Sequence, residues 1–331
     1  MEQQRVRIVD IAEELGLSTA TVSNVIHGKT QKISDATVKR VQALLEERQY
    51  VPSMAGILLA QNSSRIIGVF VNDHEKYEGR TLEDAFIASS LNYLSREIEQ
   101  RGLFMMVKRA KDSGEILRFA SMWNLDGVVV LGFCEQDYND LRDRIRIPFV
   151  VYDGICAEPK RFVNITIDDR SGGRQVGEYL RQKGHHRAVC IADNEQGCDL
   201  WRMEGFREGF APGVCETLLV PMHKAERLAF YEAHLEALLH ATAVFAVSDY
   251  YAIDLMSFLH RKGIGVPQRM AVAGFDDIPL CEMSCPPLTT IRQDGALRAR
   301  LALENLEALR TGTQPGATLT VPVTLVQRES A

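Results

Sequence analysis

Residues 8–27 read I-V-D-I-A-E-E-L-G-L-S-T-A-T-V-S-N-V-I-H, Ile8 to His27, and the rest of the chain is organised around them. Ile8, Ile11, Ala12 and Leu15 recur at helical spacing, so a first helix has one apolar face. Gly16 tolerates a positive φ, so the chain can turn there. Ser18 can accept an orphan backbone N–H and open a second helix. In that helix Val22, Val25 and Ile26 make the buried stripe, while Thr19, Ala20, Thr21, Ser23 and Asn24 fall outside it. A merely solvated face would carry Lys and Glu; this one carries small hydroxyl and amide groups. Two short helices joined by a tight turn form a helix-turn-helix, whose second helix lies in the major groove of DNA. An ordinary helical hairpin within a core is the alternative.

Working outward, Gly28 closes the second helix as a C′ residue. Lys29 to Ile33 form a loop with two cations. Ser34 caps a third helix, Asp35 to Arg48, in which Val38, Val41, Leu44 and Leu45 pack back on the first two. Pro52 and Ser53 then start a short helix running to about Ala60, M-A-G-I-L-L-A, which is too apolar for a free linker. A polar stretch, Gln61 to Ser64, follows it.

Beyond Arg65 strand and helix signals alternate. Strands are expected at Ile66–Val71, Leu103–Val107, Gly127–Leu131, Pro148–Tyr152, Ala188–Ala192, Ala243–Val247 and Met270–Phe275. Helices are expected at Leu82–Arg101, Gly114–Met122, Asp137–Arg144, Gly172–Lys183, Trp201–Phe210, Ala225–His240, Tyr250–Lys262 and Asp294–Arg310. Two successive α/β sets imply two parallel-sheet lobes, and ligands bind such sheets outside the carboxyl ends of the strands. The fold class expected is a small all-α helix-turn-helix headpiece plus an α/β core of two lobes with parallel sheets.

Composition bounds the function. At 331 residues, 46% of them hydrophobic, the chain can build two or three cored domains. No apolar run approaches the roughly 20 residues of a membrane helix, and the N-terminus M-E-Q-Q-R-V-R lacks the apolar core of a signal peptide. Seven cysteines with no C-x-x-C pair argue against disulfides or a zinc site and for a reduced cytoplasm. Cys281 and Cys285 read as buried thiols. The net charge is −6, and residues 1–60 are neutral, with seven basic and seven acidic side chains. Affinity for DNA must therefore rest on segregating charge to one face, and it must fall steeply with salt. No G-x-S-x-G, P-loop or H-E-x-x-H is present, so no enzyme constellation emerges and no cofactor is implied. The adjacent acids Asp168-Asp169 and Asp276-Asp277 point different ways and do not make a glycosidase pair.

The run from Val6 to Ile26, V-R-I-V-D-I-A-E-E-L-G-L-S-T-A-T-V-S-N-V-I, resembles the N-terminus of the LacI/GalR family of transcription regulators. Further resemblances are Tyr50-Val51-Pro52-Ser53, Arg202 to Phe206 (R-M-E-G-F), Thr242 to Asp249, Ala273 to Ile278 (A-G-F-D-D-I) and Pro286 to Ile291 (P-P-L-T-T-I). What this implies is a headpiece at 1–50, a hinge helix and linker at 51–64, and a two-lobed, periplasmic-binding-protein-like core at 65–331. The N-lobe would take about 65–164 plus 294–322, and the C-lobe about 165–292. The chain lacks the leucine-heptad tail that makes a few members tetramers, so a homodimer is implied.

The resemblance places Thr19, Ala20 and Asn24 at base-reading positions, where Asn pairs with adenine and Thr or Ala touches a thymine methyl. Ser18, Thr21, Ser23 and His27 suit phosphate contacts, and Arg7 and Lys32 add ionic ones. Leu59 matches a leucine that wedges into the minor groove, although Gly56-Ile57 replaces the family's usual Ala-Arg. In the core, Asp153, Arg202, Asp249 and Asp276 match positions that face a small ligand. Carboxylates and a guanidinium fork grip adjacent hydroxyls, which suits a sugar. The segment Asp73 to Arg80, D-H-E-K-Y-E-G-R, stands where the family commonly has N-P-F-F, and Asp73 joins the candidate ligand set. The expected partners are a near-palindromic double-stranded operator, a carbohydrate effector and a second copy of the chain, with no membrane. A sugar receptor without DNA function, an enzyme using the cleft acids, and a DNA-binding protein with a degenerate core are the rivals.

Overall fold

In the computed structural model, which describes residues 6–51 and 63–331, the first helices take shape from their end signals. They are α1 (Ile8–Leu15), α2 (Thr19–Ile26) and α3 (Asp35–Glu47). Gly16 takes φ +64°; its N–H donates to Glu13 O and that of Leu17 to Ala12 O. Gly28, at φ +69°, repeats the arrangement, with Gly28 N–H to Val25 O and Lys29 N–H to Asn24 O. Both are left-handed closures that satisfy orphan carbonyls. Gln49 closes α3 in the same way at φ +47° without being glycine. Ile11, Ala12, Val22, Val25, Val41 and Leu44 form the buried centre of this three-helix unit. The hinge residues Pro52 to Asn62, Leu59 and Gly56-Ile57 among them, lie outside the described residues.

Residues 65–331 form a separate unit. Its N-lobe elements are β1 (Ile66–Asn72), α4 (Ala85–Gln100), β2 (Phe104–Ala110), α5 (Ser113–Met122), β3 (Gly127–Leu131), α6 (Glu135–Arg144), β4 (Phe149–Tyr152) and β5 (Val163–Ile167). The C-lobe follows with α7 (Asp169–Gln182), β6 (Arg187–Ala192), α8 (Gly197–Phe210), β7 (Val214–Leu219), α9 (Lys224–Ala233), α10 (Leu235–Leu239), β8 (Ala243–Ala246), α11 (Asp249–Arg261), β9 (Ala271–Ala273) and α12 (Leu280–Met283). The last elements are β10 (Thr290–Gln293), α13 (Gly295–Thr311), β11 (Ala317–Val321) and β12 (Val323–Val326).

The N-lobe sheet runs β11-β5-β4-β3-β1-β2 and the C-lobe sheet β7-β6-β8-β9, every neighbouring pair parallel. The central strands β3, β4 and β8 are buried along their whole length, as expected when helices cover both faces. An antiparallel pair, β10 with β12, lies where the chain passes between the lobes. The two-lobed fold is thus the one anticipated.

Several details differ. The expected helix 225–240 breaks at His234, whose ring stacks on Phe230 at 4.0 Å, so α9 and α10 replace one helix. Helix α4 begins at Ala85, not Leu82, because Asp84 Oδ1 accepts the Ile87 N–H at 3.0 Å and fixes the cap there. Strands β5, β7, β10, β11 and β12, four to six residues long, are not among the expected ones; four of them, β5, β7, β10 and β11, carry polar residues such as Asn164, Glu216, Arg292 and Thr318 that break the apolar run by which the other strands are read.

Helices α7 and α8 pack backbone to backbone. A Cβ on Gly205 would fall 1.9 Å from Arg170 O, one on Gly173 1.9 Å from Arg202 O, and one on Gly209 2.2 Å from Arg174 O. Each helix carries its glycines four apart, Gly173 and Gly177 against Gly205 and Gly209. That approach brings the start of α7 beside the middle of α8, and with it Asp169 beside Arg202.

Candidate functional site

The outer face of α2 is presented as the sequence implied. Thr19, Ala20 and Asn24 are exposed, whereas Val22 and Val25 are buried. Ser18 Oγ accepts the Thr21 N–H at 3.1 Å and shares a hydrogen bond with Thr21 Oγ1 at 2.9 Å. Ser23 and His27 are half-buried and Lys32 is exposed. Arg7 differs from the expectation: its guanidinium pairs with Asp10 at 3.1 Å in a capping box, so an anion must compete for it. That contact holds the Asp10 carboxyl below the usual carboxylate range. At the far side Arg40 donates to Leu15 O at 3.3 Å and Arg48 pairs with Glu14 at 2.7 Å, tying α3 to the turn that aims α2.

In the core, charged side chains run in a chain from one lobe to the other. Arg202, on α8 and 7% exposed, donates from Nε to Asp169 Oδ1 at 2.7 Å and from Nη1 to Val247 O at 2.8 Å. Its guanidinium lies 3.9 Å above the Phe275 ring and 3.5 Å from Asp276 Oδ1. Asp276 Oδ1 accepts from Gln293 Nε2 at 2.7 Å, and Gln293 Oε1 accepts from Arg298 Nη1 at 2.5 Å. Arg298, on the N-lobe side of the crossover, stands 2.6 Å from Asp153 Oδ2 and lies over the Tyr152 ring at 4.5 Å.

Burial pushes the Asp276 carboxyl well up, more than Arg202 pulls it down. The same balance raises Asp169. Burial also works against the charge on Arg202, but Asp169 and Asp276 outweigh it and the net shift is upward. Backbone strain gathers here too: Asp153 has φ +54°, Asp276 +115° and Asp277 +54°, all in the region that disfavours a Cβ. A cavity of about 90 Å³ opens beside this chain, lined in part by Phe86, Ser89, Tyr93, Tyr152, Gln293 and Arg298. Five buried polar atoms of residues at or next to it, Tyr152 OH, Asp153 Oδ1, Asp277 Oδ1 and Arg298 Nε and Nη2, have no hydrogen-bond partner. Across the mouth of the cleft, Glu78 of the N-lobe meets His223 Nδ1 of the C-lobe at 3.2 Å.

Two candidate ligand residues stand elsewhere. Asp249 is fully buried, and its carboxylate accepts from Thr290 Oγ1 at 2.5 Å, Ile278 N at 3.0 Å and Cys281 Sγ at 3.0 Å. It holds the 276–290 loop in place and has no face toward the cavity. Asp73 accepts from Thr81 Oγ1 at 2.7 Å and Arg109 Nη1 at 3.2 Å, closing its own loop. Asp277, which also lines the cavity, lies between Arg292 at 2.5 Å and Arg328 at 2.7 Å. Cys281 is buried but Cys285 is exposed, unlike the reading of both as buried thiols.

Sequence reasoning missed Asp169, Gln293 and Arg298. For Arg298 a signal existed: it shares a helical stripe with Ala302 and Leu306, both buried, and an arginine on such a stripe needs a partner. Among the described residues no group of His, Cys, Asp and Glu is placed to hold a metal, and no helix is long and apolar enough to cross a membrane.

A helix-turn-helix joined to a two-lobed core with a polar cleft defines a DNA-binding regulator with a ligand-binding-protein-like body. Residues 7–53 match the model of bacterial regulatory proteins of the lacI family, and residues 178–331 that of a periplasmic binding protein-like domain. Residues 7–53 are thus similar to the lacI-family DNA-binding domain. Among its relatives are the HTH-type transcriptional repressor PurR of Vibrio atlanticus, 27% identical over 86% of each chain, and the HTH-type transcriptional regulator CelR of Thermobifida fusca, 27% identical over 100% of each. Similar solved structures include a lac repressor dimer bound to operator and the anti-inducer ONPF, with TM-score 0.84, 22% identity and 99% of each chain covered. Another is a transcriptional regulator CelR–cellobiose complex, with TM-score 0.69, 24% identity and 99% of this chain and 100% of that one covered. The relatives named are transcription regulators.

Proposed function

We propose that the protein is a homodimeric, cytoplasmic repressor whose grip on a near-palindromic operator is set by a small carbohydrate bound between its two core lobes. In this reading residues 1–50 read DNA, 51–64 form the hinge, and the two lobes bind effector and partner. Thr19, Ala20 and Asn24 meet base edges in the major groove. Ser18, Thr21, Ser23, His27 and Lys32 position the headpiece on phosphates, Arg7 joins them by exchanging Asp10 for a phosphate, and Leu59 is the minor-groove wedge.

The effector sits against Asp153, Arg202 and Asp276, with Asp249 shaping the loop behind them. The observation that carries the reading is the buried charged chain from Asp169 to Asp153, which crosses both lobes and leaves polar atoms unsatisfied beside a cavity. Groups of that kind are kept where a ligand completes them. A ligand that touches both ends has a different affinity for each angle between the lobes, which is what coupling to DNA requires. A lacI-family relative solved with cellobiose supports the chemical class.

The test is operator binding by the full-length dimer, measured by fluorescence anisotropy with and without neutral sugars. A sugar that shifts the operator Kd at least fivefold, with the shift abolished by Arg202→Leu, supports the reading. Operator binding indifferent to every sugar that binds the core would contradict it.

A further inference from the structure

Two thiols meet inside the C-lobe, and neither lines the cavity described above. Cys190 of β6 is fully buried, Cys215 of β7 is half-buried, and their sulfurs lie 3.4 Å apart in a thiol hydrogen bond. The strand ladder explains the meeting. Cys215 pairs with Ala188 and Cys190 with Thr217, so all four side chains share one face of the sheet and the two cysteines are diagonal neighbours. Arg207 of α8 reaches that face and donates from Nη2 to Thr217 Oγ1 at 2.5 Å, two residues along β7 from Cys215.

The two sulfurs are unequal. Burial pushes the Cys190 thiol well up. The hydrogen bond from Cys190, joined by the charge of Arg207, brings Cys215 below its usual value against the effect of burial. The thiolate is the nucleophile, so Cys215 is the sulfur that reacts first and Cys190 the one that follows. Cys134, Cys198 and Cys281 each face a carboxylate instead, Asp137 at 3.1 Å, Asp199 at 3.8 Å and Asp249 at 3.0 Å. A negative neighbour of that kind disfavours the thiolate.

We propose that Cys215 and Cys190 form a redox-active dithiol, in which a peroxide oxidises the Cys215 sulfur and Cys190 resolves it to a reversible intramolecular disulfide. With hydrogen peroxide, the Cys215 thiolate attacks one oxygen. The O–O bond breaks, an S–OH bond forms, and the other oxygen leaves as hydroxide and is protonated to water. The Cys190 sulfur then attacks the Cys215 sulfur, the S–O bond breaks, and the departing hydroxide takes the Cys190 proton. Two thiols and one peroxide thus give one disulfide and two waters.

The placement suits a switch better than a staple. Strands about 4.8 Å apart and a two-residue offset of about 6.6 Å put diagonal Cα atoms roughly 8 Å from each other. A disulfide usually spans about 4.4–6.8 Å between Cα atoms, so β7 must slide along β6 to close it. As the edge strand of its sheet, β7 can do so without disturbing a second ladder. The bond is then held under strain, and a strained disulfide is readily reduced.

The experiment treats the reduced full-length protein with hydrogen peroxide, blocks the remaining thiols with iodoacetamide and maps the unreduced peptides by mass spectrometry. The expected result is a cross-linked pair of peptides carrying Cys190 and Cys215, which dithiothreitol reopens. In Cys190→Ala the Cys215 sulfenic acid has no resolving partner, and dimedone should capture it at Cys215. Cys215→Ser should give neither the cross-link nor an adduct at Cys190. Arg207→Met should slow alkylation of Cys215 by about threefold at neutral pH, with Arg207→Lys recovering part of the loss. Thermal unfolding shows that each variant is folded. Peroxide that oxidises Cys134 or Cys285 and leaves Cys190 and Cys215 as free thiols overturns the proposal. So does wild-type Cys215 that passes to sulfinic acid without a cross-link, or a cross-link that dithiothreitol leaves closed.

Discussion

Replacing Gly205 by alanine should unfold the core far more readily than one methyl group implies. The added Cβ would sit 1.9 Å from Arg170 O, and the nearest other atoms are also backbone of α7, so no side chain can swing away. The helices must separate by about 1 Å before the contact becomes tolerable, and overpacking of this kind costs roughly 1–3 kcal/mol. Arg202 lies on the same face of α8, one turn away, and its 2.7 Å contact with Asp169 depends on the same approach. The upper end of that range, about 3 kcal/mol, is therefore expected. For a domain of this size it corresponds to a fall in Tm of roughly 6–12 °C. Urea unfolding followed by tryptophan fluorescence reads it, since Trp201 stands on α8 itself. Gly114→Ala is the control: it lies in the first turn of α5 with only the Asp112 side chain nearby at 3.2 Å, and it should be neutral or stabilise by about 0.5 kcal/mol. A loss below about 1 kcal/mol in Gly205→Ala would refute the backbone-to-backbone packing and the placement of Arg202 that depends on it.

Burial pushes the Asp249 carboxyl up to about 6, so between roughly pH 4 and pH 6 the folded chain holds a proton the unfolded chain has lost. Stability should fall as pH rises through that window, by about 3 kcal/mol from this group, and Asp249→Asn should flatten the decline in denaturation midpoints; an unchanged slope contradicts the assignment. Gln49→Gly relieves a left-handed residue at the end of α3 and should raise headpiece stability by about 1 kcal/mol in thermal unfolding, whereas any destabilisation argues against the φ of +47°. Asn24→Arg should move the preference at one base step from adenine toward guanine by roughly 1–3 kcal/mol in competition binding, with other steps unmoved; loss of binding at all steps alike would make Asn24 a phosphate contact.

The headpiece was legible because its signals are local. A glycine at each turn, a serine at each cap and an apolar stripe of period 3.6 act within a few residues, and Gly16, Ser18 and Val22 each do what their positions imply. The alternation of strands and helices likewise gave the two-lobed core. The cleft was only half legible. Asp153, Arg202 and Asp276 stand where strands end or a neighbouring helix passes, and the structure brings them into one charged chain. Asp249 matched a family position equally well, yet its three donors come from Ile278, Cys281 and Thr290, about thirty to forty residues further on, and nothing local announces them. Asp169 stood in the sequence only as one of two adjacent acids that point different ways. Its role follows from the glycine spacing shared by α7 and α8, a pattern that acts only once two helices meet. Arg298 was hidden by a helix that otherwise alternates leucine and alanine with surface charge.

The most direct test of the account is selection of tight-binding duplexes from a random pool by the full-length protein at moderate salt, repeated with the bound neutral sugar present. The account predicts enrichment of one two-fold symmetric site, with base preferences in each half-site that change on Asn24→Arg, and a change in enrichment when the sugar is added. No enrichment under either condition, or enrichment that ignores both the α2 substitution and the sugar, would contradict it.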